Sequence, residues 1–304
     1  MLLGKYKRLI FIGDSNSDNG NVFQMTSETH PQPEQVYWKG RYSNGKTWTD
    51  HLEGFSGAKA INLAFGCATI DNSLVSGTVP MPDKTRCEVP GVLDQIERLR
   101  DMVGHLHPDE LVFIQAGSND LNSLVYPGPT YRRKQPFTPE ILARRLVAGV
   151  RTLCVDMHAR NVVVMNVRAR EQYPGIIATN DPTVIQKSLL DTESLNSAIE
   201  KEIGRLQAEL GDQFLLSVFD THGFQRRIAE SPAAFGISAD WPMPMFRASQ
   251  DNPQTSQIRL ADPETRMFVD EAHLGRRAQA LLAADVVKEL ATALAISDAG
   301  YQPR

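Results

Sequence analysis

The feature that most constrains the fold of this chain is an alternation of short apolar runs with longer, helix-like segments. Within the longer segments, apolar residues recur at three- and four-residue spacing, which is the period of an amphipathic helix. The short runs are residues 9–12, 60–64, 111–115, 162–167 and 214–219, and the helical patterns are 92–103, 139–158, 185–210 and 276–295. Strands that alternate with helices indicate parallel pairing through right-handed crossovers. The sequence therefore predicts an α/β fold, a three-layer α/β/α sandwich around a five-stranded parallel sheet.

Two stretches interrupt this alternation, at about residues 26–50 and 221–263. Both contain several prolines and aromatic residues, and loops longer than about 12 to 15 residues in a compact domain are usually functional or disordered. Their aromatic content favours ordered loops, which could form the walls of a site or equally seal the core as hydrophobic flaps. We predict one domain over residues 1–304, with these two stretches as its long loops.

Charge and hydropathy exclude several classes of protein. The net charge of −4 and the pI near 6.0 argue against a nucleic-acid partner, because such proteins usually present a basic face. No apolar stretch reaches the roughly 18 to 20 residues that a membrane span needs. The amino terminus runs directly into the first predicted strand without a removable signal, so we expect a cytoplasmic protein. A mature fragment of a secreted protein would look the same.

The three cysteines, Cys67, Cys87 and Cys154, cannot all pair within the chain. None of them has the C-x-x-C or Cys/His spacing that is typical of a zinc site. A disulfide-rich scaffold is therefore excluded, whereas a single bridge between Cys67 and Cys87 stays open.

A Gly-Asp-Ser triplet follows the first apolar run. A buried strand that ends in this turn places Ser15 just beyond its carboxyl end, which is where open α/β sheets bind their ligands. Asp14, Ser17 and Asn19 could equally satisfy free backbone N–H groups at the start of a helix. Taken alone, the triplet is compatible both with a nucleophile and with an ordinary turn.

Three further segments place polar residues near the ends of predicted elements, namely 65–69, 116–120 and 267–275. Because the carboxyl ends of parallel strands lie on one edge of a sheet, the first two segments should converge with Ser15. In the third segment, Asp270 precedes His273 by three residues, so a single turn could bring the carboxylate to the imidazole. A serine nucleophile needs a base, and a histidine with a pKa of about 6.5 suits that role. The alternative is a capping aspartate beside a surface histidine.

An acyl-transfer intermediate also needs hydrogen-bond donors that are already in place for its oxyanion. Gly66 offers a backbone N–H without an obstructing side chain, Asn119 offers a side-chain amide, and Ser15 offers its own N–H. The alternatives are a tight turn at Gly66 and a helix cap at Asn119.

Taken in order, the chain reads G-D-S, N-x-A-x-G, G-x-N-D and D-x-x-H in four separated blocks. This combination resembles the GDSL (SGNH) hydrolase superfamily, and the match extends from Phe11 to about Leu282. It is most similar to the GDSL-lipase branch, which includes plant GDSL esterases and bacterial thermolabile haemolysins and phospholipases. That branch continues the first block as Ser-Asp-x-Gly-Asn, found here at 17–21. It also carries a G-R-[FY]-S-[ND]-G-x-x-W-x-D stretch, found here at 40–50.

The resemblance implies that Ser15 is the nucleophile, His273 the general base and then acid, and Asp270 its orienting partner. It also implies an oxyanion hole formed by the Ser15 and Gly66 N–H groups together with the Asn119 side chain. The implied fold is the flavodoxin-like sandwich of this superfamily, and no metal or organic cofactor is implied.

The chain departs from the family pattern beside the catalytic positions. Asn16 replaces the leucine of the name-giving motif, so we expect it to alter the floor of the site and to contact substrate. Cys67 stands where a second glycine is common, and Leu274 stands where a proline is common. Arg41 and Trp48 are further candidates for substrate binding, because they could stack on sugar rings. No G-x-S-x-G elbow is present, which counts against the α/β-hydrolase fold.

We therefore predict a serine esterase that hydrolyses carboxylic esters through an acyl-enzyme. The small-molecule substrate could be a lipid acyl ester, a short acyl group on a sugar, or a soluble ester. The sequence leaves this choice open, together with the oligomeric state. The alternative is a non-catalytic carbohydrate- or lipid-binding protein on a retained hydrolase scaffold, which loss of a catalytic residue would mark; none is lost. A nucleotide-binding α/β protein is discarded, because its glycine-rich phosphate loops are absent.

Overall fold

A computed structural model describes residues 2–32, 36–126, 128–247, 257–258 and 262–300 of the chain. The strands in these ranges are β1 (Arg8–Gly13), β2 (Lys59–Asn62), β3 (Val75–Pro80), β4 (Arg86–Glu88), β5 (Glu110–Gln115), β6 (Tyr131–Arg133), β7 (Asn161–Met165), β8 (Leu215–Phe219), β9 (Phe246–Arg247) and β10 (Gln257–Ile258). The α-helices are α1 (Asn21–Met25), α2 (Trp48–Ser56), α3 (Val92–Val103), α4 (Ser118–Val125), α5 (Pro139–Arg151), α6 (Pro174–Ile177), α7 (Pro182–Leu210), α8 (Thr221–Glu230) and α9 (Arg276–Gly300).

Five of these strands form a wholly parallel sheet in the order β2-β1-β5-β7-β8. Each of the five predicted strands lies in this sheet, so the predicted parallel sheet is confirmed. From β1 the chain first adds β2 on one side and then crosses to add β5 on the other. The carboxyl ends of β1 and β5, where Gly13 pairs with Gln115, are therefore the switch point at which open α/β sheets bind ligands.

Helices cover both faces of the sheet. Alternate residues of a strand point to opposite faces, and the two sets of side chains belong to two separate apolar clusters. The first cluster joins Ile10, Val112 and Val164 to α3, α5 and α7. The second joins Phe11, Phe113 and Val163 to α2, α8 and α9. The predicted three-layer α/β/α sandwich is thereby confirmed.

The two stretches that were predicted as long loops contain secondary structure. Residues 221–263 begin with α8, whose first turn is capped by the Asp220 side chain accepting from the Gly223 N–H at 2.9 Å. Residues 248–256 and 259–261 of this stretch lie outside the described residues. Residues 26–50 end inside α2, where Thr47 and Asp50 form a reciprocal capping box. Both helices are short and adjoin proline- or glycine-rich segments, which hides their period in the sequence.

A small antiparallel sheet in the order β4-β3-β6 lies beside the main sheet and was not predicted. It packs directly against the segment that follows β2. A Cβ atom on Gly77 of β3 would lie 1.8 Å from the carbonyl oxygen of Cys67. Glycine is therefore needed here to allow the close approach of the two backbones. This contact brings β6, and with it Tyr131, to the carboxyl edge of the main sheet.

Candidate active site

The turn after β1 holds Ser15 at the switch point. The Asp14 carboxylate accepts hydrogen bonds from the backbone N–H and the side-chain amide of Asn16, at 3.0 and 3.1 Å. The Asp14 carbonyl accepts from the N–H groups of Ser17 and Asp18, both at 3.0 Å. These bonds fold the turn tightly and leave the Ser15 N–H without a partner among the described residues. The Ser15 residue is 5% exposed, so its hydroxyl lies in a confined environment.

The Ser15 hydroxyl lies next to the imidazole of His273. The Ser15 Oγ is 2.8 Å from His273 Nε2, and His273 Nδ1 is 2.6 Å from Asp270 Oδ2. The other carboxylate oxygen, Asp270 Oδ1, accepts from the N–H groups of Ala272 and His273 at 2.9 and 2.8 Å. The loop is thus wrapped around the carboxylate, as the three-residue spacing predicted. With Nδ1–H donated to the carboxylate, Nε2 presents its lone pair to the serine.

Tyr37, which the sequence did not single out, completes the surroundings of Asp270. Its hydroxyl donates to Asp270 Oδ2 at 2.7 Å, the same oxygen that contacts His273. Burial alone would raise the pKa of Asp270. The neighbouring His273 and these hydrogen bonds outweigh it, and they hold the pKa of Asp270 well below its ordinary value. The carboxylate is therefore charged at all working pH values. The aromatic content of residues 26–50 was the only signal for Tyr37 in the sequence.

Two further ring side chains surround the imidazole. Tyr42 packs on His273 with ring centroids 5.0 Å apart, and His30 lies edge-on to Tyr42 at 5.9 Å. Burial lowers the pKa of His30 to about 4, so His30 is neutral near pH 7. The Tyr42 hydroxyl is buried and has no hydrogen-bond partner among the described residues. The ring face of His273 thus lies against the uncharged aromatic ring of Tyr42, and this restricts the orientation of the imidazole.

The structure corrects the prediction that the Gly66 N–H belongs to an oxyanion hole. That N–H donates to Asp18 Oδ2 at 2.8 Å. Asp18 also accepts from the N–H groups of Gly20 and Asn21, at 2.8 and 2.6 Å, and thereby ties the segment after β2 to the turn after β1. Gly66 is instead required for packing, since a Cβ there would lie 2.3 Å from the Tyr42 ring. Burial raises the pKa of Asp18 to about 6, although its backbone hydrogen bonds oppose this.

The N–H that is left without a partner among the described residues lies one residue later, at Cys67. Cys67 has a φ of 65° in the left-handed region. This is the position where the family commonly has glycine, which adopts that conformation at no cost. Burial raises the pKa of the Cys67 thiol to about 12, so the thiol stays protonated. All three cysteines are free, and the open question of a Cys67–Cys87 bridge is resolved as unbridged in this structure.

Asn119 lies at the start of α4 and is held on both sides. Its Nδ2 donates to the Ala68 carbonyl at 2.9 Å, and its Oδ1 accepts from the Tyr131 hydroxyl at 2.6 Å. An amide nitrogen has two N–H groups, so one of them is left for a ligand. The hydroxyl of Tyr131 fixes which end of the amide faces the site. Tyr131 comes from the unpredicted small sheet, and the sequence carried no signal for it.

Of the three residues predicted to bind substrate, Asn16 lies beside Ser15, Arg41 is paired with a carboxylate, and Trp48 is buried in the core. Asn16 lies next to Ser15, with its side chain turned back onto Asp14. Arg41 forms two hydrogen bonds with Asp50, at 3.1 and 2.8 Å, and stacks on Trp38.

The prediction that Trp48 contacts substrate is wrong. It is 0% exposed and packs between Phe11 and Phe113. Its indole N–H donates to the Ser17 hydroxyl at 3.2 Å, so it supports the serine turn from the core. Within the described residues, no group of three or more His, Cys, Asp or Glu side chains is arranged to hold a metal ion.

A doubly wound parallel sheet with a Ser–His–Asp arrangement at its switch point, and without a G-x-S-x-G elbow, defines a class of serine hydrolases with a flavodoxin-like topology. The family model for the GDSL-like Lipase/Acylhydrolase family matches residues 9–286. The chain belongs to this family, as its motifs predicted.

The chain is similar in sequence to two relatives and in structure to one solved protein. The secreted effector protein SseJ of Salmonella typhimurium is 43% identical over 70 residues, which cover 22% of this chain and 17% of SseJ. The thermolabile hemolysin of Vibrio parahaemolyticus is 23% identical over 234 residues, which cover 76% of this chain and 49% of the hemolysin. The chain therefore spans half or less of each of these relatives. An acetyl-xylooligosaccharide esterase from Geobacillus aligns with a TM-score of 0.49 at 15% identity, covering 95% of this chain and 96% of that protein.

Proposed function

We propose that this protein is a serine esterase that hydrolyses carboxylic esters through an acyl-enzyme, with Ser15 as the nucleophile. The observation that carries the proposal is the continuous contact from Ser15 Oγ to His273 Nε2, at 2.8 Å, and from His273 Nδ1 to Asp270 Oδ2, at 2.6 Å. In the first step, His273 removes the serine proton while Oγ attacks the ester carbonyl. The protonated imidazole then gives that proton to the leaving alcohol. In the second step, His273 activates a water molecule that releases the acid.

The oxyanion formed in both steps needs donors that do not have to reorganise. We assign this role to the N–H groups of Ser15 and Cys67 and to the second N–H of Asn119 Nδ2. The two backbone groups have no partner among the described residues, and the amide has one N–H free. Gly66 is not in this set, because its N–H is already bonded to Asp18.

Labelling with a fluorophosphonate probe, followed by turnover of p-nitrophenyl acetate and butyrate, tests this proposal. Ser15→Ala should abolish labelling and lower kcat by roughly 10⁴- to 10⁶-fold, because nucleophile and base act as a unit. His273→Ala should cost a comparable factor. A suitable control is Ser17→Ala, which removes a buried serine hydroxyl bonded to Gln115 and Trp48 and should keep labelling. Labelling that persists in Ser15→Ala would remove this serine from the mechanism, and a wild-type protein that neither labels nor turns over would favour a carbohydrate- or lipid-binding role.

The acyl group is the finer part of the proposal, and we include both lipid acyl esters and short acyl groups. The name of one relative, a hemolysin, agrees with a lipid ester, and the sequence leaves the short acyl group on a sugar equally open. A chain-length series of p-nitrophenyl esters beside an acetylated xylooligosaccharide separates these choices. Activity that peaks at acetyl and vanishes by octanoyl would exclude the lipid ester, while a maximum at long chains would exclude the acetyl ester.

A further inference from the structure

A buried arginine contacts the loop that carries Asp270 and His273. Arg168 follows β7 and is 2% exposed. Its Nη2 donates to the carbonyl oxygen of Ala272 at 2.7 Å, and its Nη1 donates to Gln225 Oε1 at 2.9 Å. Neither partner is acidic, and none of the ion pairs among the described residues includes Arg168. Because an unpaired positive charge is costly to bury, the position of this guanidinium calls for an explanation beyond packing.

The guanidinium of Arg168 has a fixed position. The Asn196 side chain accepts from the Val167 N–H and donates to the Val167 carbonyl, both at 2.8 Å. This clamp holds the backbone directly before Arg168. At the other end of the side chain, the Nε2 of Gln225 donates to the Ala169 carbonyl at 2.7 Å, which leaves its Oε1 to accept from the guanidinium. The arginine therefore contacts the loop from a rigid support.

The peptide between Ala272 and His273 is bonded at both of its polar atoms. The Ala272 carbonyl accepts from Arg168 at 2.7 Å, and the His273 N–H donates to Asp270 Oδ1 at 2.8 Å. The second oxygen of that carboxylate contacts His273 Nδ1 at 2.6 Å. A charged donor on the oxygen of an amide makes the N–H of the same amide a stronger donor, and aligned bonds reinforce one another in a low-dielectric interior. One buried charge thereby acts on the backbone that sets where the imidazole lies.

We propose that Arg168 is a positioning residue that fixes the Ala272–His273 peptide and, through it, the place of the imidazole between Ser15 and Asp270. This inference rests on the proposed function, and Arg168 lies outside the four sequence blocks. The guanidinium acts through the loop and not on the reacting atoms. A displaced imidazole slows the transfer of the serine proton but does not weaken the binding of a neutral ester. Arg168 should therefore affect kcat and leave KM unchanged.

The main test is Arg168→Met, whose side chain has a similar volume and cannot donate a hydrogen bond. An endpoint titration with the fluorophosphonate probe counts the folded sites, so that kcat is expressed per labelled serine. We expect this kcat to fall between about 10- and 10²-fold at unchanged KM, because a displacement of about 1 Å costs about 10²-fold. Arg168→Gln is a second variant, because its amide is too short to reach the Ala272 carbonyl and should give the same loss. A wild-type kcat in whichever variant folds would overturn the inference.

Arg170→Met is the matched control. Arg170 is 0% exposed, and its Nε and Nη2 donate to Asn122 Oδ1 at 3.1 and 3.0 Å. It is thus a second buried arginine after β7, and none of its hydrogen bonds among the described residues reaches the loop of Asp270 and His273. Its replacement should leave kcat per labelled site unchanged. An equal loss in both variants would show a general effect of removing a buried arginine and would contradict the inference.

A double-mutant cycle tests whether Arg168 acts through His273. In the His273→Ala background, Arg168→Met should cause no further loss of the residual turnover of p-nitrophenyl acetate, because the side chain that Arg168 positions is gone. A loss as large as the one in the wild-type background would show that Arg168 acts elsewhere, and it would overturn the inference.

The proton on His273 Nδ1 gives a readout that a change in stability alone does not move. Its resonance in the proton NMR spectrum should shift in Arg168→Met, because Asp270 Oδ1 then accepts a weaker bond and Oδ2 interacts more strongly with the imidazole. The resonance should stay in place in Arg170→Met, and an unshifted resonance in Arg168→Met would also overturn the inference. If Ser15→Ala retains activity, the proposed function itself fails. If Ser15→Ala is inactive but Arg168→Met keeps the wild-type kcat, only the role of Arg168 fails.

Discussion

Tyr37→Phe should displace the pH profile of the enzyme. The Asp270 carboxylate receives hydrogen bonds from the N–H groups of Ala272 and His273 on Oδ1, and from His273 Nδ1 and the Tyr37 hydroxyl on Oδ2. The tyrosine thus withdraws negative charge from the oxygen that faces the imidazole. Without it, Oδ2 interacts more strongly with His273, and the protonated imidazole is stabilised relative to the neutral one. His273 must be neutral to accept the serine proton. As the pH is lowered, the variant should therefore lose activity at a higher pH than the wild type does.

The size of this displacement follows from the bond that is removed. A hydrogen bond to a charged group contributes about 1.5–3 kcal/mol, and one pH unit in a titration corresponds to about 1.36 kcal/mol. The imidazole shares only the oxygen Oδ2 with the Tyr37 hydroxyl. We therefore assign about a third to a half of the energy of the lost hydrogen bond to the stabilisation of the protonated imidazole. The acid limb of kcat/KM should therefore move up by about 0.5 to 1 pH unit. The variant should also unfold with a free energy lower by about 2 kcal/mol.

The assay is the pH dependence of kcat/KM for p-nitrophenyl acetate, which reports groups of the free enzyme. Tyr42→Phe is the matched control, because Tyr42 also contacts the His273 ring but its hydroxyl has no partner among the described residues. Its acid limb should stay in place, and its stability should be equal or higher. An acid limb that is unmoved in Tyr37→Phe, or moved to lower pH, would refute the account of how Tyr37 acts on the carboxylate.

Three other outcomes can be measured with single variants. Burial raises the pKa of Asp120 to about 7, whereas the same carboxyl group in the unfolded chain has a pKa near 3.9. Folding therefore favours the protonated form. Between these two pKa values, the stability that Asp120 contributes falls with rising pH by about 1.4 kcal/mol per pH unit. Urea titrations at pH 5, 6 and 7 should show the stability of Asp120→Asn rising relative to the wild type, and a constant difference would be contrary to this expectation. Trp48→Phe should lower the free energy of unfolding by about 2 kcal/mol and leave KM unchanged, whereas a raised KM in a stable variant would restore a substrate-binding role. Cys67→Gly should keep kcat and change stability by less than about 1 kcal/mol, because the proposed donor is the backbone N–H; a large loss of activity would implicate the thiol.

The sequence was sufficient to predict the sheet and the contact between Asp270 and His273, because both depend on local patterns. A strand such as β1 is recognisable from its apolar run, and Asp270 reaches His273 within one turn. The contacts that refine the site join residues distant in the chain. Examples are the 233-residue separation of Tyr37 and Asp270 and the 48-residue separation of Asp18 and Gly66. Neither the hydrophobic periodicity nor the spacing of motifs in the sequence predicts such a contact.

The misassigned donor at Gly66 illustrates the same limit. In the sequence, a glycine after a strand suggests an unobstructed N–H, and Cys67 looks like a substitution beside it. In the structure, the side chain of Asp18 reaches across and occupies the Gly66 N–H at 2.8 Å. The left-handed φ of Cys67 then presents the following N–H. Backbone conformation and the reach of the Asp18 side chain, and not residue type, leave the Cys67 N–H without a partner among the described residues.

The stretch 40–50 was the most specific of the family motifs in the sequence, although none of its residues was assigned a role in the chemistry. Its residues instead hold the structure around the site. Tyr42 packs on the His273 ring, and the Arg41 guanidinium is bonded to Asp50 at the start of α2. Trp48 then anchors that helix in the core and donates to Ser17, two residues after Ser15.

One segment thereby links the histidine, the serine turn and the apolar layer under the sheet. Each link depends on the others, because a shifted α2 would move the serine turn and the aromatic surface under His273 together. The proposed proton transfer across the 2.8 Å contact between Ser15 and His273 tolerates little displacement. We therefore expect substitutions in this segment to lower kcat, and to lower it more the further they displace Ser15 from His273. This holds even though the substituted side chains do not touch the reacting atoms.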